Sequence, residues 1–270
     1  MMALKVQALI ETLEKLVSTK LAADWDNVGL LMEGPPDKTI ERILLCIDLN
    51  HEVLDEALTA KAEAIIAYHP PIFSGLKRFK RSVPGQNLIL RCIEEGLTIW
   101  SPHTALDAIP GGLGDWLLDG LGPMKNREII ESCPLCPEDK TTGMGRMGRL
   151  KNPVDLDTLV SRVKEHLKLE HVRVARATQH HNDGQIKRVA VCPGAGGALF
   201  GQVRVTNLLL TGEMRHHDVL SHLGKGRSVI LTDHTNTERG YLPIFAERVR
   251  EATQVEVMVS KVDSDPLSIV

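Results

Sequence analysis

Apolar residues recur at helical spacing over Val6–Leu16, with Ile10, Leu13 and Leu16 on one face, so the pattern predicts an opening helix followed by a loop at residues 25–29. Short apolar runs then alternate with amphipathic ones: strand 43–47, helix 51–61, strand 64–67, helix 87–95 stopped by Gly96, strand 97–100 and helix 114–121. Residues 123–153 carry Pro, Gly, Lys and Asp with little periodicity, and read as a connection holding one strand at 147–150. The second half repeats the alternation. It has helix 155–166, strands 172–175 and 189–192, the glycine-rich stretch 193–197, strand 208–210, helix 215–223, strand 228–231, helix 237–252 and strand 255–259.

Strands separated by helices of about ten residues imply parallel pairing, because parallel neighbours need crossovers and helices supply them. The fold class expected is therefore α/β, with an N-terminal lobe at 1–122, a connecting segment at 123–153 and a C-terminal lobe at 154–270. Composition agrees: of 270 residues 43% are hydrophobic and only 3% aromatic, so Leu, Ile, Val and Ala must fill the core. In open α/β sheets functional groups gather past the carboxyl ends of strands, which directs attention to the residues found there.

Net charge is −3 and the basic residues form no extended block, so no direct nucleic-acid contact is expected. The run Lys77-Arg78-Phe79-Lys80-Arg81 reads as a solvated loop or as a contact for an anionic ligand such as a nucleotide phosphate. No stretch approaches the roughly 18 apolar residues of a membrane span, and the N-terminus lacks the apolar core of a secretory signal, so a cytoplasmic protein is expected. Five scattered cysteines then argue for reduced thiols. Cys133 and Cys136 form one C-x-x-C without a second ligand pair, and read as a Pro-rich surface loop ahead of a zinc site. Cys46 and Cys192 near strand ends read as core packing.

Strand 64–67 runs into Tyr68-His69-Pro70-Pro71, where the prolines restrict the loop behind the imidazole. Strand 97–100 runs into a segment holding His103 and Asp107. Strand 228–231 leads to His234 and Glu238, at i and i+4, which share a face if a helix begins near Thr235. Each His alone could be a hydrogen-bonded structural residue. Their repetition after strands, with no Ser-His-Asp or Cys-His arrangement competing, favours a mixed N/O site for Zn, Mn, Fe or Co, and a carboxylate such as Glu238 could bridge two ions that activate water. The glycines of 193–197 could offer N–H groups to a phosphate or simply make a tight turn that starts a helix. Asp26 and Asn27 could line the crevice or form an Asx turn, and Asp48 and Glu213 are strand-end acids with no evident partner. Adjacent helical residues point about 100° apart, so only one of His216 and His217 could face a site.

The segments Ala23-Asp-Trp-Asp-Asn-Val-Gly-Leu30, Tyr68-His-Pro-Pro-Ile-Phe73, Ser101-Pro-His-Thr-Ala-Leu-Asp107, Thr211-Gly-Glu-Met-Arg-His-His-Asp218 and His234-Thr-Asn-Thr-Glu-Arg239 together resemble the GTP cyclohydrolase I type 2, or NIF-three-like, family in its eukaryotic-type branch. The resemblance implies two interlocked α/β lobes with helices on their sheets, and a toroidal homohexamer. It also implies two divalent metal ions held by His69, Asp107, His234 and Glu238, with Glu238 bridging and catalytic. Many members carry a second His after the first. This chain has Pro70 there, and His103 is the candidate to compensate. The connecting segment leaves no room for the inserted domain of some members. The implied activity is hydrolysis, either opening of the purine ring of GTP at C8 by metal-activated water or cleavage of a phosphoester. The alternatives are a non-enzymatic scaffold with protein partners in transcription, and metal handling without turnover.

Overall fold

The computed structural model describes residues 3–182 and 184–270. In chain order the elements are β1 (Leu4–Lys5), α1 (Val6–Leu16), β2 (Gly29–Met32), β3 (Thr39–Ile40), β4 (Arg42–Cys46), α2 (His51–Thr59), β5 (Ala64–Ala67), α3 (Pro84–Glu94), β6 (Thr98–Ser101) and α4 (His103–Ala108). There follow α5 (Leu113–Asp119), β7 (Met124–Ser132), β8 (Gly143–Val154), α6 (Leu156–Leu167), β9 (Arg173–Ala175), β10 (Ile186–Cys192), β11 (Leu208–Thr211), α7 (His216–Gly224), β12 (Ser228–Leu231), α8 (Leu242–Thr253) and β13 (Glu256–Val259). Two compact units result, one of Met1–Leu106 with Tyr241–Val270, the other of Asp107–Gly240.

The first unit holds a five-stranded sheet in the order β13-β4-β5-β6-β2, parallel except for β2. Every residue of β5 and β6 is buried, as expected of strands covered on both faces. Val53, Leu54 and Ala57 of α2 and Leu88, Ile89 and Cys92 of α3 pack on Leu44, Cys46, Ile65 and Ile99. The start of α2 is fixed by Asn50, whose side chain accepts from Val53 N at 2.9 Å.

The second unit is built on a six-stranded sheet, β7-β8-β10-β11-β12-β9, in which β10, β11 and β12 run parallel. Leu117 and Leu118 of α5 and Leu159 and Val163 of α6 cover one face, packing on Val189, Val191, Leu208 and Ile230. Phe200 and Val203 lie against the other face with Ala190, Leu209 and Val229. Where periodicity gave one strand at 147–150, β7 and β8 form a long antiparallel hairpin. Its pattern was hidden because β7 is an edge strand with charged residues along most of its length and β8 carries Gly143, Gly145 and Gly148. Cys133 is buried at its tip.

Helix 237–252 of the sequence reading begins later, at Leu242, with Pro243 in its first turn. The residues before it form two 3-10 turns, Thr235–Thr237 and Arg239–Tyr241. Thr237 Oγ1 donates to His234 O at 2.6 Å, a side-chain bond to the backbone of the kind that competes with α-helix. Among the described residues no helix is long and apolar enough to cross a membrane.

Three histidines of the second unit should make it sensitive to acid. Burial lowers the pKa of His180, whose Nδ1 lies 2.8 Å from Ser228 Oγ, and Arg176 lowers it further. Burial also lowers His222, with Arg227 and Lys225 adding to the effect against Asp218, and burial lowers His166. The fold therefore favours the neutral rings, while the unfolded chain takes up protons near the ordinary value of 6.5. Stability from this source is complete above that pH and is lost as pH falls below it. The urea midpoint of chelator-treated protein is expected to drop between pH 7.5 and 5.5, and to drop less in a His180→Gln, His222→Gln double variant. An equal drop in both would remove these rings as the cause.

Candidate functional site

In the first unit the ladder between β4 and β5 continues past both strands, with Tyr68 N donating to Cys46 O at 2.8 Å and His69 N to Ile47 O at 3.0 Å. Extending the β4–β5 register by two pairs beyond Cys46 and Ala67 sets His69 beside Asp48, and His69 Nδ1 lies 2.9 Å from Asp48 Oδ1. His103 opens α4 with φ +32, a positive value uncommon outside glycine. Its Nδ1 is 2.7 Å from Asp26 Oδ1, and the other Asp26 oxygen accepts from Thr104 N at 3.2 Å and from Thr104 Oγ1 at 2.5 Å. Burial alone would raise the Asp26 carboxyl. The hydrogen bonds from His103 and Thr104, with the His103 charge, outweigh it and hold the group below the ordinary carboxylate range. The His69 and His103 rings meet edge to face, 5.3 Å between centroids.

The second unit repeats the arrangement. β11 leads to Glu213, its parallel neighbour β12 leads to His234, and His234 Nδ1 lies 3.3 Å from Glu213 Oε2. On the other side of the ring, His234 Nε2 is 3.5 Å from Oε1 of Glu238, which is only 2% exposed. Gly194, at φ +59, runs so close to this pair that a Cβ there would sit 2.8 Å from His234 Nε2 and 3.0 Å from Glu238 Oε1. Thr237 Oγ1 accepts from Gly194 N at 2.8 Å, and Thr211 Oγ1 accepts from Gly196 N at 2.9 Å and donates to Gly194 O at 3.0 Å. The glycines of 193–197 therefore serve close approach to His234 and Glu238, and the N–H groups of Gly194 and Gly196 are already used. A 3-10 turn, Leu199–Gln202, follows the loop.

His103 and Asp107, one helical turn apart, both lie on α4. In the second unit Asp107 and Glu238 both act on the thiol of Cys192 at the end of β10, which burial first and then these carboxylates push well above its ordinary pKa. Cys192 is accordingly a poor nucleophile. His216 and His217, of which at most one was expected to face a site, are both exposed at the start of α7.

The donor set suits a first-row divalent ion. Each unit carries such donors, His69 and His103 in the first and the close pair His234 and Glu238 in the second. A carboxylate on Nδ1 fixes the proton there and leaves the Nε2 lone pair for an ion, and Asp48, Asp26 and Glu213 do this for His69, His103 and His234. Two ligand atoms at zinc-like bond lengths and tetrahedral angle lie about 3.4 Å apart, close to the His234–Glu238 separation of 3.5 Å. Replacing Asp48 by Ala should weaken metal binding by about 10- to 100-fold, read by competition with a chromophoric chelator. Unchanged affinity would show that Asp48 does not orient a ligand. The sequence reading nominated the donor residues but did not pair them with these acids, although the signal was present in each unit as an acid and a His after adjacent parallel strands.

An α/β protein with imidazole and carboxylate donors at the ends of parallel strands is the class that the fold and this chemistry define. The chain belongs to the Duf34/NIF3 (NGG1p interacting factor 3) family, whose sequence profile matches residues 4–266. It is 38% identical over 270 residues to the NIF3 homolog of Schizosaccharomyces pombe, covering 96% of each chain. It is 34% identical over 281 residues to NGG1-interacting factor 3 of Saccharomyces cerevisiae, covering 98% of this chain and 97% of that one. In fold it matches a Bacillus cereus protein related to NIF3 with a TM-score of 0.86 at 20% identity, over 98% of this chain and 99% of that chain. A Staphylococcus aureus protein matches with a TM-score of 0.84 at 23% identity, over 99% of both.

Proposed function

We propose that the protein is a hydrolase dependent on two divalent ions, Zn, Fe, Mn or Co, acting on a purine nucleotide by ring opening of the GTP cyclohydrolase type or on a phosphoester. The carrying observation is the His234–Glu238 pair of the second unit, 3.5 Å apart with His234 held through Nδ1 by Glu213, together with the same carboxylate support of His69 by Asp48 in the first. Asp107 and His103 complete the proposed ligands, His103 standing in for the His that Pro70 displaces. When bound, such a pair of ions lowers the pKa of water and stabilises charge developing on the substrate. The chain's own part is to orient the imidazoles through Asp48, Asp26 and Glu213 and to keep the Glu238 carboxylate away from bulk water as the bridging, catalytic group. The working protein is proposed to be a cytoplasmic homohexamer.

Metal per protomer, measured by elemental mass spectrometry on protein purified without chelator, is expected near two, falling sharply in Glu238→Ala together with any turnover of GTP or of an aryl phosphate. Absence of metal from both forms would overturn the hydrolase reading. Pro70 and the name of the yeast relative, which describes a protein that interacts with NGG1, favour a second reading as a metal-stabilised scaffold for a partner in transcription. In that case Glu238→Ala would weaken assembly with no turnover to lose.

A further inference from the structure

Aromatic residues make up 3% of this chain, and Tyr68, Trp100, Phe200, Tyr241 and Phe245 are buried. Trp25 is 64% exposed and Phe73 53% exposed, yet they lie together in the first unit, ring centroids 6.1 Å apart, with Trp25 edge-on to His103 at 5.9 Å. The rings are not on loose chain. The Trp25 loop is pinned by Asp26 to His103 at 2.7 Å, by Ala23 N to Thr104 Oγ1 at 3.0 Å and by Asn27 Nδ2 to Ile72 O at 2.5 Å. The last of these bonds ties it to the loop that carries Phe73. A fixed, water-facing indole beside metal-type imidazoles leaves apolar area uncovered, which a flat ring can cover. The loop continues into Lys77, Arg78 and Lys80, whose side chains make no ion pair or hydrogen bond among the described residues, whereas Arg81 pairs with Glu94. A flat apolar surface and uncompensated cations on adjoining chain select a planar ring bearing phosphate.

We infer that Trp25, backed by Phe73, is the stacking platform for the base of a mononucleotide, whose phosphate draws on the charge of Lys77, Arg78 and Lys80. The inference rests on the proposed hydrolase reading for its substrate class and adds the group that reads the base. Stacking on an aromatic face tolerates any base, so the platform distinguishes nucleotides from sugar phosphates and leaves purine selection to other groups.

The test is equilibrium dialysis of GMP and of ribose 5-phosphate, which lacks the base, against the full-length protein as purified. GMP is expected to bind roughly tenfold more tightly or better. That advantage should disappear in Trp25→Leu and persist in Trp25→Phe, while a Lys77→Ala, Arg78→Ala, Lys80→Ala variant should weaken both ligands alike. Equal binding of the two phosphates by native protein, or a GMP advantage surviving in Trp25→Leu, overturns the inference. So does an oligonucleotide binding far more tightly than GMP, or a change of oligomer size in Trp25→Leu with GMP binding intact, which would make the Trp25–Phe73 pair a contact between copies. Metal content measured on the same samples reports the hydrolase reading separately: metal-free native protein would defeat that reading while the base advantage could still be read.

Discussion

Gly194→Ala is expected to abolish tight metal binding while leaving the fold in place. The added methyl would lie 2.8 Å from His234 Nε2, closer than a real methyl contact, and a tight 3.0 Å from Glu238 Oε1, on the atoms proposed as metal ligands. The loop cannot back away cheaply, because Gly194 N and Gly194 O are bonded to Thr237 and Thr211, and Glu213 N also donates to Gly194 O at 2.9 Å. Nor can the pair retreat. Gly212 is packed so closely against Asp233 O and the His234 Cα that the turn carrying the imidazole has no free space behind it. The left-handed backbone at φ +59 costs alanine about 1 kcal/mol, a minor part of the effect. Since disturbing a partner of a ligand costs about 10- to 100-fold in affinity, displacing two ligand atoms should cost on the order of 100-fold or more. Titration of apo protein with Zn or Mn checks this, with Gly201→Ala, which meets nothing within 4 Å, as the control. Equal affinities in the two variants would remove His234 and Glu238 from the metal site.

Most helices and parallel strands were legible because burial on one or both faces writes itself into the spacing of apolar residues; α1 and β5 fall on the residues that the pattern marks. The β7–β8 hairpin was not legible, since an edge strand resists aggregation by carrying charge and β8 uses glycine at positions where an apolar alternation would show. Pairing across long separations is likewise absent from periodicity: β13, the last strand, lies beside β4, with Val257 opposite Ile43. For the site, residue type at a strand end was enough to nominate His69, His103, Asp107, His234 and Glu238. What sequence could not show was which neighbours touch. The acids Asp48 and Glu213 had no visible partner until β4 was known to lie beside β5 and β11 beside β12; continuing the first register sets Asp48 level with His69, and continuing the second sets Glu213 level with Asp233, one residue before His234.

Arg146 lies outside every motif, yet its removal should be the most damaging single change to the second unit. It is 2% exposed near the start of β8, and its guanidinium meets three separate stretches of chain. Nη1 donates to Gly143 O at 2.6 Å and Gly145 O at 3.0 Å, Nη2 to Ala108 O at 3.2 Å and Ile109 O at 3.0 Å, and Nε lies 3.1 Å from Asp115 Oδ2. The carbonyls at 108 and 109 belong to the end of α4, directly after Asp107, so the same side chain sets the residue proposed as a metal ligand. Leucine in its place would strand these carbonyls without this donor and leave the Asp115 charge with only the longer contact to Arg127 at 3.7 Å beside its bond from Gly111 N at 2.9 Å. Removing one member of a buried, hydrogen-bonded ion pair typically costs about 3–5 kcal/mol, and the orphaned carbonyls add to that. Lysine cannot substitute, because a single ammonium lacks the fork that reaches α4, α5 and the hairpin together. Urea unfolding of Arg146→Leu and Arg146→Lys should therefore show large losses in both. A loss below about 1 kcal/mol in either would mean that water takes over the carbonyls, and that α4 is held in place by packing of Ala105, Leu106 and Ala108.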